Sequence, residues 1–300
     1  MSAVKIDRRA LLRTAAAVAA SGIPWPISGQ TVVSKEGTVR DRLWLFGAPP
    51  NSDYPSIGRR SLMTPAEGAF YLGVPNVLMN QSSGAETKYG EFEPPFDQYT
   101  IALQPFRRVI WSVVGSGGRT SPEERAQVLQ MAKRTPNFAG VYMDDFFTGK
   151  KEGKRAALTV DEVRAIREQL RSSGKHLELF ATLYTRELSL PLSDYLNLID
   201  VIVLWSWKPG FLANLEQNLE LVEKSAPRAR KILGCYFVDY DNKTTWPVSG
   251  MQTQCELGLR WLQSGRIQGI MFLGNTVEDL GYEAVEWTRR WIQKVGDLKA

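Results

Sequence analysis

Residues 139–146 (AGVYMDDF) and 177–185 (LELFATLYT) are two short apolar runs, and an amphipathic segment that begins at Thr159 lies between them. Both runs contain aromatic and β-branched residues, which is typical of buried strands. Thr159 and Glu162 have the spacing of a capping box, which predicts the start of a helix. A strand, a helix and a second strand in this order indicate a parallel βαβ unit.

The same alternation continues through the rest of the chain after residue 40. Eight runs predict strands, at residues 43–48, 74–80, 109–115, 139–146, 177–185, 201–207, 232–240 and 267–275. Helix-start signals occur at Thr64 and Ser121, and amphipathic segments cover residues 211–226, 251–264 and 282–295. Eight βα units predict an α/β fold, a (β/α)8 TIM barrel that forms a single domain over residues 40–300. The first strand is not followed by GxGxxG, which disfavours a doubly wound sheet.

The composition limits the chemistry that this chain can perform. Its 300 residues include one His and two Cys, too few for a multi-His metal site or a cysteine-rich zinc site. His176 starts the fifth predicted strand, whereas chemistry in such barrels lies at the opposite ends of the strands. We therefore expect carboxylates, tyrosines, amides or a lysine to act, with no metal and no cofactor. Cys235 and Cys255 are expected as buried free thiols rather than as a disulfide.

Residues 1–29 predict an export signal. Arg8 and Arg9 are followed by two leucines and a run of small residues, which resembles a twin-arginine signal peptide. The expected partner is the twin-arginine export machinery, and the expected location is periplasmic or secreted. The alternative is a cytosolic amphipathic helix. Much of the net charge of +5 lies in this segment, so nucleic acid is not expected as a partner. No apolar stretch reaches the ~18 residues of a stable membrane span.

Aspartates end two of the predicted strands. Asp144 and Asp145 end strand four, and Asp239 ends strand seven on the other side of the barrel mouth. Glycoside hydrolysis needs two carboxyl groups that flank the scissile bond. Asp144 is predicted as nucleophile or base and Asp239 as the opposing acid, although aspartates also stabilise turns, which is the alternative for Asp145 and Asp239.

A glycine, three mostly apolar residues and an aspartate, from Gly140 to Asp144, resemble the strand that carries the catalytic aspartate in several TIM-barrel glycoside hydrolase families. The adjacent pair is also similar to the paired aspartates of substrate-assisted N-acetylhexosaminidases. This similarity implies that Asp144 orients an acetamido group and that Asp145 is the acid. The chain departs from the retaining barrels that use Glu at the ends of strands four and seven. The resemblance implies an exported glycoside hydrolase with a carbohydrate substrate.

Aromatic and amide side chains near the strand ends complete the predicted sugar site. Aromatic faces stack on sugar rings, and amides bond hydroxyl groups. The predicted substrate-binding residues are Tyr184, Trp205, Trp207, Tyr236, Trp246, Asn80, Gln81, Asn275 and Glu187. Glu187 is also a candidate acid, and filling of the barrel core is the alternative for Trp205.

Three other functions remain open from the sequence. A divalent-metal hydrolase or lyase would use Asp144, Asp145 and Asp239 as oxygen ligands. A Schiff-base enzyme would use Lys208, just after strand six. A non-catalytic glycan-binding barrel would need no acid and no base, and the fold alone does not distinguish it from an enzyme.

Overall fold

The computed structural model describes residues 37–81, 91–147 and 155–300, which form a closed barrel of eight parallel strands. The barrel strands are β1 (Leu43–Gly47), β2 (Asn76–Met79), β3 (Arg108–Val114), β4 (Phe138–Met143), β5 (Glu178–Tyr184), β6 (Val201–Trp205), β7 (Arg230–Tyr236) and β8 (Gly269–Leu273). Each strand pairs with its sequence neighbour, and β8 pairs with β1 to close the barrel. The predicted (β/α)8 architecture is confirmed.

Helices alternate with these strands. They are α1 (Tyr54–Ile57), α2 (Pro65–Leu72), α3 (Tyr99–Leu103), α4 (Pro122–Arg134), α5 (Val160–Arg171), α6 (Ser193–Leu196), α7 (Leu215–Ser225), α8 (Val248–Gln263), α9 (Asn275–Glu278) and α10 (Glu283–Val295). Thr64 and Thr159 form the expected capping boxes, and the Ser121 side chain accepts a hydrogen bond from the Glu124 N–H. These caps begin α2, α5 and α4 because they satisfy backbone donors that a helix leaves free.

Several boundaries differ from the sequence prediction, and β4, for example, ends at Met143 rather than at residue 146. The helix expected over 211–226 begins with a 3-10 turn at Pro209–Asn214 and becomes regular only at Leu215. The strand expected over 232–240 ends at Tyr236 and is followed by an antiparallel hairpin in which Val238–Asp239 pairs with Thr244–Thr245. This hairpin decides the position of Asp239.

Large aromatic side chains fill the barrel under its C-terminal mouth. The Phe46 ring contacts the rings of Tyr142 and Trp205 edge to face, with centroids 6.0 and 5.7 Å apart. His176 is exposed before β5, at the N-terminal end of the barrel as predicted. Cys235 and Cys255 are buried free thiols.

The predicted signal segment, residues 1–29, lies outside the described residues. Within the ranges that the structure describes, no helix combines the length and apolar character needed to cross a bilayer.

Candidate active site

A cleft of about 260 Å³ opens where the barrel strands end at their carboxyl termini. Its lining includes three carboxyl groups and a set of aromatic rings: Asp53, Asp144, Asp145, Phe46, Tyr184, Trp205, Trp207, Tyr236 and Tyr240. The volume is near the lower end of small-molecule sites, which are about 300–1,000 Å³. The cleft therefore suits one small polar ligand with apolar faces.

Asp144 is a buried carboxyl group held by side chains that follow β2 and β3 and by one on β5. Asn80 Nδ2 donates to its Oδ2 at 2.8 Å, Ser116 Oγ donates to the same oxygen at 3.3 Å, and Thr182 Oγ1 donates to Oδ1 at 2.8 Å. Burial raises the pKa of Asp144 far above its usual range, and the negative charge of Asp145 raises it further. At neutral pH we expect Asp144 to keep its proton.

Asp145 has a left-handed backbone, with φ of 42°. This conformation costs about 1–3 kcal/mol in a residue other than glycine, and it persists where contacts enforce it. Tyr184 Oη donates to Asp145 Oδ1 at 2.5 Å, and the Gly117 N–H donates to Oδ2 at 2.7 Å. Because β4 ends at Met143, the alternation of strand side chains stops there, and both carboxyl groups line one cleft.

Aromatic rings form the wall beside this pair. Trp207 packs against Tyr184, Tyr236 and Tyr240 with ring centroids 5.6, 5.8 and 5.9 Å apart. Trp205 lies deeper, with its ring packed directly against the backbone of Gly234. A Cβ added at Gly234 would be only 2.1 Å from Trp205 Cδ2, so a glycine at this position makes room for the ring. The Trp205 ring is therefore mostly core, with one surface in the cleft, whereas Trp207 is partly exposed.

Asp239 does not reach the cleft as the sequence predicted. Its Oδ1 accepts hydrogen bonds from the Asp241 and Asn242 N–H groups at 3.1 and 3.3 Å, and its Oδ2 accepts one from Asn242 Nδ2 at 2.8 Å. These contacts stabilise the hairpin after β7, where aspartate is a common turn residue. Asp239 therefore has the turn role that the sequence left open as the alternative. Among the described residues that line the cleft, Asp239 is absent, so it does not occupy the place predicted for the opposing acid.

The three predicted amide side chains form hydrogen bonds within the protein. Asn80 holds Asp144, as described above. Gln81 bonds the backbone of Phe92 through both ends of its amide, each at 3.0 Å. Asn275 is buried and bonds both backbone groups of Ala48 at 2.9 Å. The Gln81 and Asn275 amides therefore fix loops around the cleft through both ends, and Asn80 uses its amide N–H group for Asp144 and Ser116.

Trp246 and Glu187 also lie outside the lining of the cleft. Trp246 is buried and packs behind Tyr236, with ring centroids 6.1 Å apart. Glu187 Oε2 accepts a hydrogen bond from the Tyr184 N–H at 2.9 Å, at the end of β5. Burial raises the pKa of Glu187 to about 7. Glu187 lines a separate apolar depression of about 200 Å³.

Asp53 is a cleft residue that sequence reasoning did not select. It lies in the loop between β1 and α1, and Thr276 Oγ1 donates a hydrogen bond to its Oδ2. Burial raises the pKa of Asp53. In the sequence Asp53 follows strand one at a distance, beside a serine and an asparagine that are typical of a turn, so no pattern distinguishes it. Ser116 and Thr182 were missed for the same reason, since isolated hydroxyls carry no motif.

The other chemistries considered from the sequence find less support in this arrangement. Among the described residues, no three His, Cys, Asp or Glu side chains are grouped as metal ligands, and Asp239 is directed into its own hairpin. Lys208 is half-exposed and forms an ion pair with Asp241. An exposed, paired lysine lacks the apolar surroundings that activate a Schiff-base lysine.

The fold and the cleft define a (β/α)8 barrel with a carboxylate-bearing site at its C-terminal mouth. No family model and no curated protein matches this chain. Solved structures do: active domain 2 of a thermostable chitinase from Pyrococcus furiosus is 12% identical, with 77% of this chain and 83% of that chain covered and a TM-score of 0.52.

Two further solved structures have the same barrel. A GH113 β-1,4-mannanase is 11% identical over 85% of this chain and 99% of its own, with a TM-score of 0.50. A xylanase-A-amylase inhibitor protein, XAIP-III, is 12% identical over 85% of this chain and 98% of its own, with a TM-score of 0.53. At these identities the likeness shows a shared fold, which enzymes and a protein described as an inhibitor both adopt.

Proposed function

We propose that this chain is a glycoside hydrolase in which the adjacent Asp144 and Asp145 deliver a proton to the glycosidic oxygen. One observation carries this proposal: two neighbouring carboxyl groups line the same aromatic cleft. Burial raises the pKa of Asp144, which favours its protonated form. An acid that stays protonated at neutral pH is what the leaving oxygen of a glycoside requires.

The negative charge of Asp145 raises the pKa of Asp144, because two close carboxyl groups repel each other when both are ionised. Asp145 has two donors, the Tyr184 hydroxyl and the Gly117 N–H, which suit an ionised carboxylate. Asp144 also accepts hydrogen bonds, from Asn80, Ser116 and Thr182, but its burial outweighs them, because desolvation disfavours its charged form and keeps the proton on it. In this proposal Asp144 acts as the acid, a role that its raised pKa supports and that differs from the nucleophile or base predicted from the sequence.

The remaining lining of the cleft favours a sugar as the ligand. Trp207 and Tyr240 are partly exposed rings on one side of the cleft. Such rings bury the apolar face of a pyranose, and polar groups beside them bond its hydroxyls. The volume of about 260 Å³ accommodates a single sugar ring more readily than a long glycan segment.

Export is part of the same proposal. It is supported by the sequence of residues 1–29, where Arg8 and Arg9 precede a small-residue segment. Expression of the full chain, followed by separation of periplasm, medium and cytoplasm, tests it. Replacement of both arginines by lysine should keep the protein in the cytoplasm, and export of that variant would contradict a twin-arginine route.

A panel of oligosaccharides and aryl glycosides tests the hydrolase activity on wild type, Asp144→Asn and Asp239→Asn. General acid catalysis contributes about 10²–10⁴-fold, so Asp144→Asn should lose activity by that factor. Asp239→Asn should keep it, because that side chain belongs to the hairpin. Glycan binding without turnover by the wild type would instead indicate a non-catalytic barrel.

A further inference from the structure

Asp53 lies on the part of the barrel mouth that faces Asp144 and Asp145. Its loop follows β1, and its partner Thr276 follows β8. In the closed strand order β8 and β1 are neighbours, and β8 is four strands from β4 in either direction. The cleft is therefore lined by carboxyl groups from two opposite arcs of the barrel.

The two arcs hold their carboxyl groups independently. Asp145 is bonded by Gly117 after β3 and by Tyr184 of β5. Asp53 is bonded by the Thr276 hydroxyl, and the Tyr240 hydroxyl is its second hydrogen-bonding partner. Both partners of Asp53 are hydroxyl groups, which orient a carboxylate without neutralising its charge as an arginine or lysine would. The two hydroxyl groups thus hold Asp53 in place, and the pKa that burial raises makes its ionised carboxylate a stronger proton acceptor.

We propose that Asp53 is the second catalytic carboxylate and deprotonates the water that attacks the anomeric carbon. This inference rests on the proposed hydrolase function, and it supplies the second carboxyl group of the site, which the sequence had sought in Asp239 as the acid. Hydrolysis of a glycoside needs one acid and one base or nucleophile on opposite sides of the bond. The Asp144–Asp145 pair provides the acid from one arc, and Asp53 provides the base from the other.

The chemical step balances with these groups and one water molecule. A proton of the water passes to Asp53 as the water oxygen forms a bond to the anomeric carbon. The bond between that carbon and the glycosidic oxygen breaks, and its electron pair stays on the oxygen, which takes the proton of the Asp144–Asp145 pair. The proton then leaves Asp53 and returns to the pair through solvent. Attack by water on the face opposite the leaving group inverts the anomeric configuration.

Two substrates with the same sugar separate the roles of the two arcs. The probes are the phenyl and the 2,4-dinitrophenyl glycosides of whichever sugar the wild type hydrolyses. Dinitrophenolate leaves without a proton, so an acid is not needed for it. We expect Asp144→Asn and Asp53→Asn each to lose about 10²–10⁴-fold in kcat/KM on the phenyl glycoside. On the dinitrophenyl glycoside Asp144→Asn should recover most activity, and Asp53→Asn should stay low.

Controls distinguish a catalytic loss from misfolding. Asp97→Asn removes an exposed carboxylate that pairs with Arg134 outside the cleft, and it should behave as wild type. Thr276→Val keeps the Asp53 carboxylate but removes a donor to it, so an intermediate loss of about tenfold is expected. The Tm of each variant should stay close to that of the wild type.

The outcomes distinguish failure of the role of Asp53 from failure of the proposed hydrolase function. Recovery of Asp53→Asn on the dinitrophenyl glycoside, or wild-type activity of that variant on both probes, would overturn the role of Asp53 and leave the proposed function intact. Absence of hydrolysis by the wild type on the whole panel would overturn both. The first product anomer, followed by proton NMR, should be inverted, and a retained anomer would refute the water-activation step.

Discussion

The ends of β4 and β7 carry the same signal in the sequence and have different roles in the structure. Both are apolar runs that end in an aspartate on opposite sides of the barrel. Asp144 is bonded by side chains from β2, β5 and the loop after β3, and it lines the cleft. Asp239 is bonded by residues two and three positions further along the chain. A carboxyl group supported from a distance becomes part of a site, whereas one satisfied locally forms a turn.

The backbone after the last strand residue causes this difference. After β4 the chain adopts a left-handed residue at Asp145, which brings both carboxyl groups to one cleft. After β7 the chain turns back on itself as a short hairpin, and Asp239 accepts the hydrogen bonds of that turn. Neither backbone feature has a sequence pattern, because aspartate is tolerated in both conformations.

The largest effect is expected for Asp145→Asn. It should lower kcat/KM by about 10²–10⁴-fold, the usual contribution of an acid–base group. It should also lower the pKa of Asp144, because the amide removes the negative charge that raises it. Carboxyl ¹³C NMR of the variant would therefore show Asp144 titrating at lower pH than in wild type. If Asp144 titrates at the same pH in the variant as in wild type, the two carboxyl groups do not interact.

Glu278 tests whether burial alone marks a functional carboxyl. It lies on α9 with neither oxygen hydrogen-bonded, and burial raises its pKa to about 8. The folded state thus keeps a proton that the unfolded chain loses above its ordinary pKa of 4.5. Stability should fall as pH rises between these values, by about 1.4 kcal/mol per pH unit.

Glu278→Gln should remove this dependence on pH. Urea unfolding at pH 5 and pH 7 should then show a gain in stability relative to wild type that grows by up to about 3 kcal/mol between the two. Glycosidase activity should be unaffected, because Glu278 is outside the cleft lining. A matching loss of activity would mean that burial, rather than support from distant strands, marks a functional carboxyl group.

Tyr184→Phe should have a smaller effect on activity than loss of the carboxyl itself. The ring that packs against Trp207 remains, and only the hydroxyl that donates to Asp145 is removed. A hydrogen bond to a charged group contributes about 1.5–3 kcal/mol, or roughly 10–100-fold in kcat/KM. Tyr195→Phe is the matched control, since its hydroxyl donates to the Leu158 carbonyl away from the cleft.

The sequence predicted the barrel well because its evidence is repeated. Eight apolar runs and three helix caps each report the same architecture, and an error at one boundary does not alter it. The site depends on single contacts instead. Asn80 and Asp144 are 64 residues apart and Asp53 and Thr276 are 223 apart, so their contact follows only from the closed barrel. Strand ends predicted Asp144, Asp145 and Trp207 in the cleft, whereas Asp53 lies six residues beyond β1 in a loop that has no regular spacing.

The smallest effect on activity is expected for Asp239→Ala, and it decides the comparison directly. The substitution removes three hydrogen bonds of the hairpin and should cost about 1–2 kcal/mol of stability, because its backbone donors must then find water. The value of kcat/KM should stay within about threefold of wild type. Urea unfolding and the aryl glycoside assay measure the two quantities on one sample. A fall in activity as large as that of Asp145→Asn, with stability unchanged, would place the second catalytic carboxyl group on the segment after β7 and remove the need for Asp53.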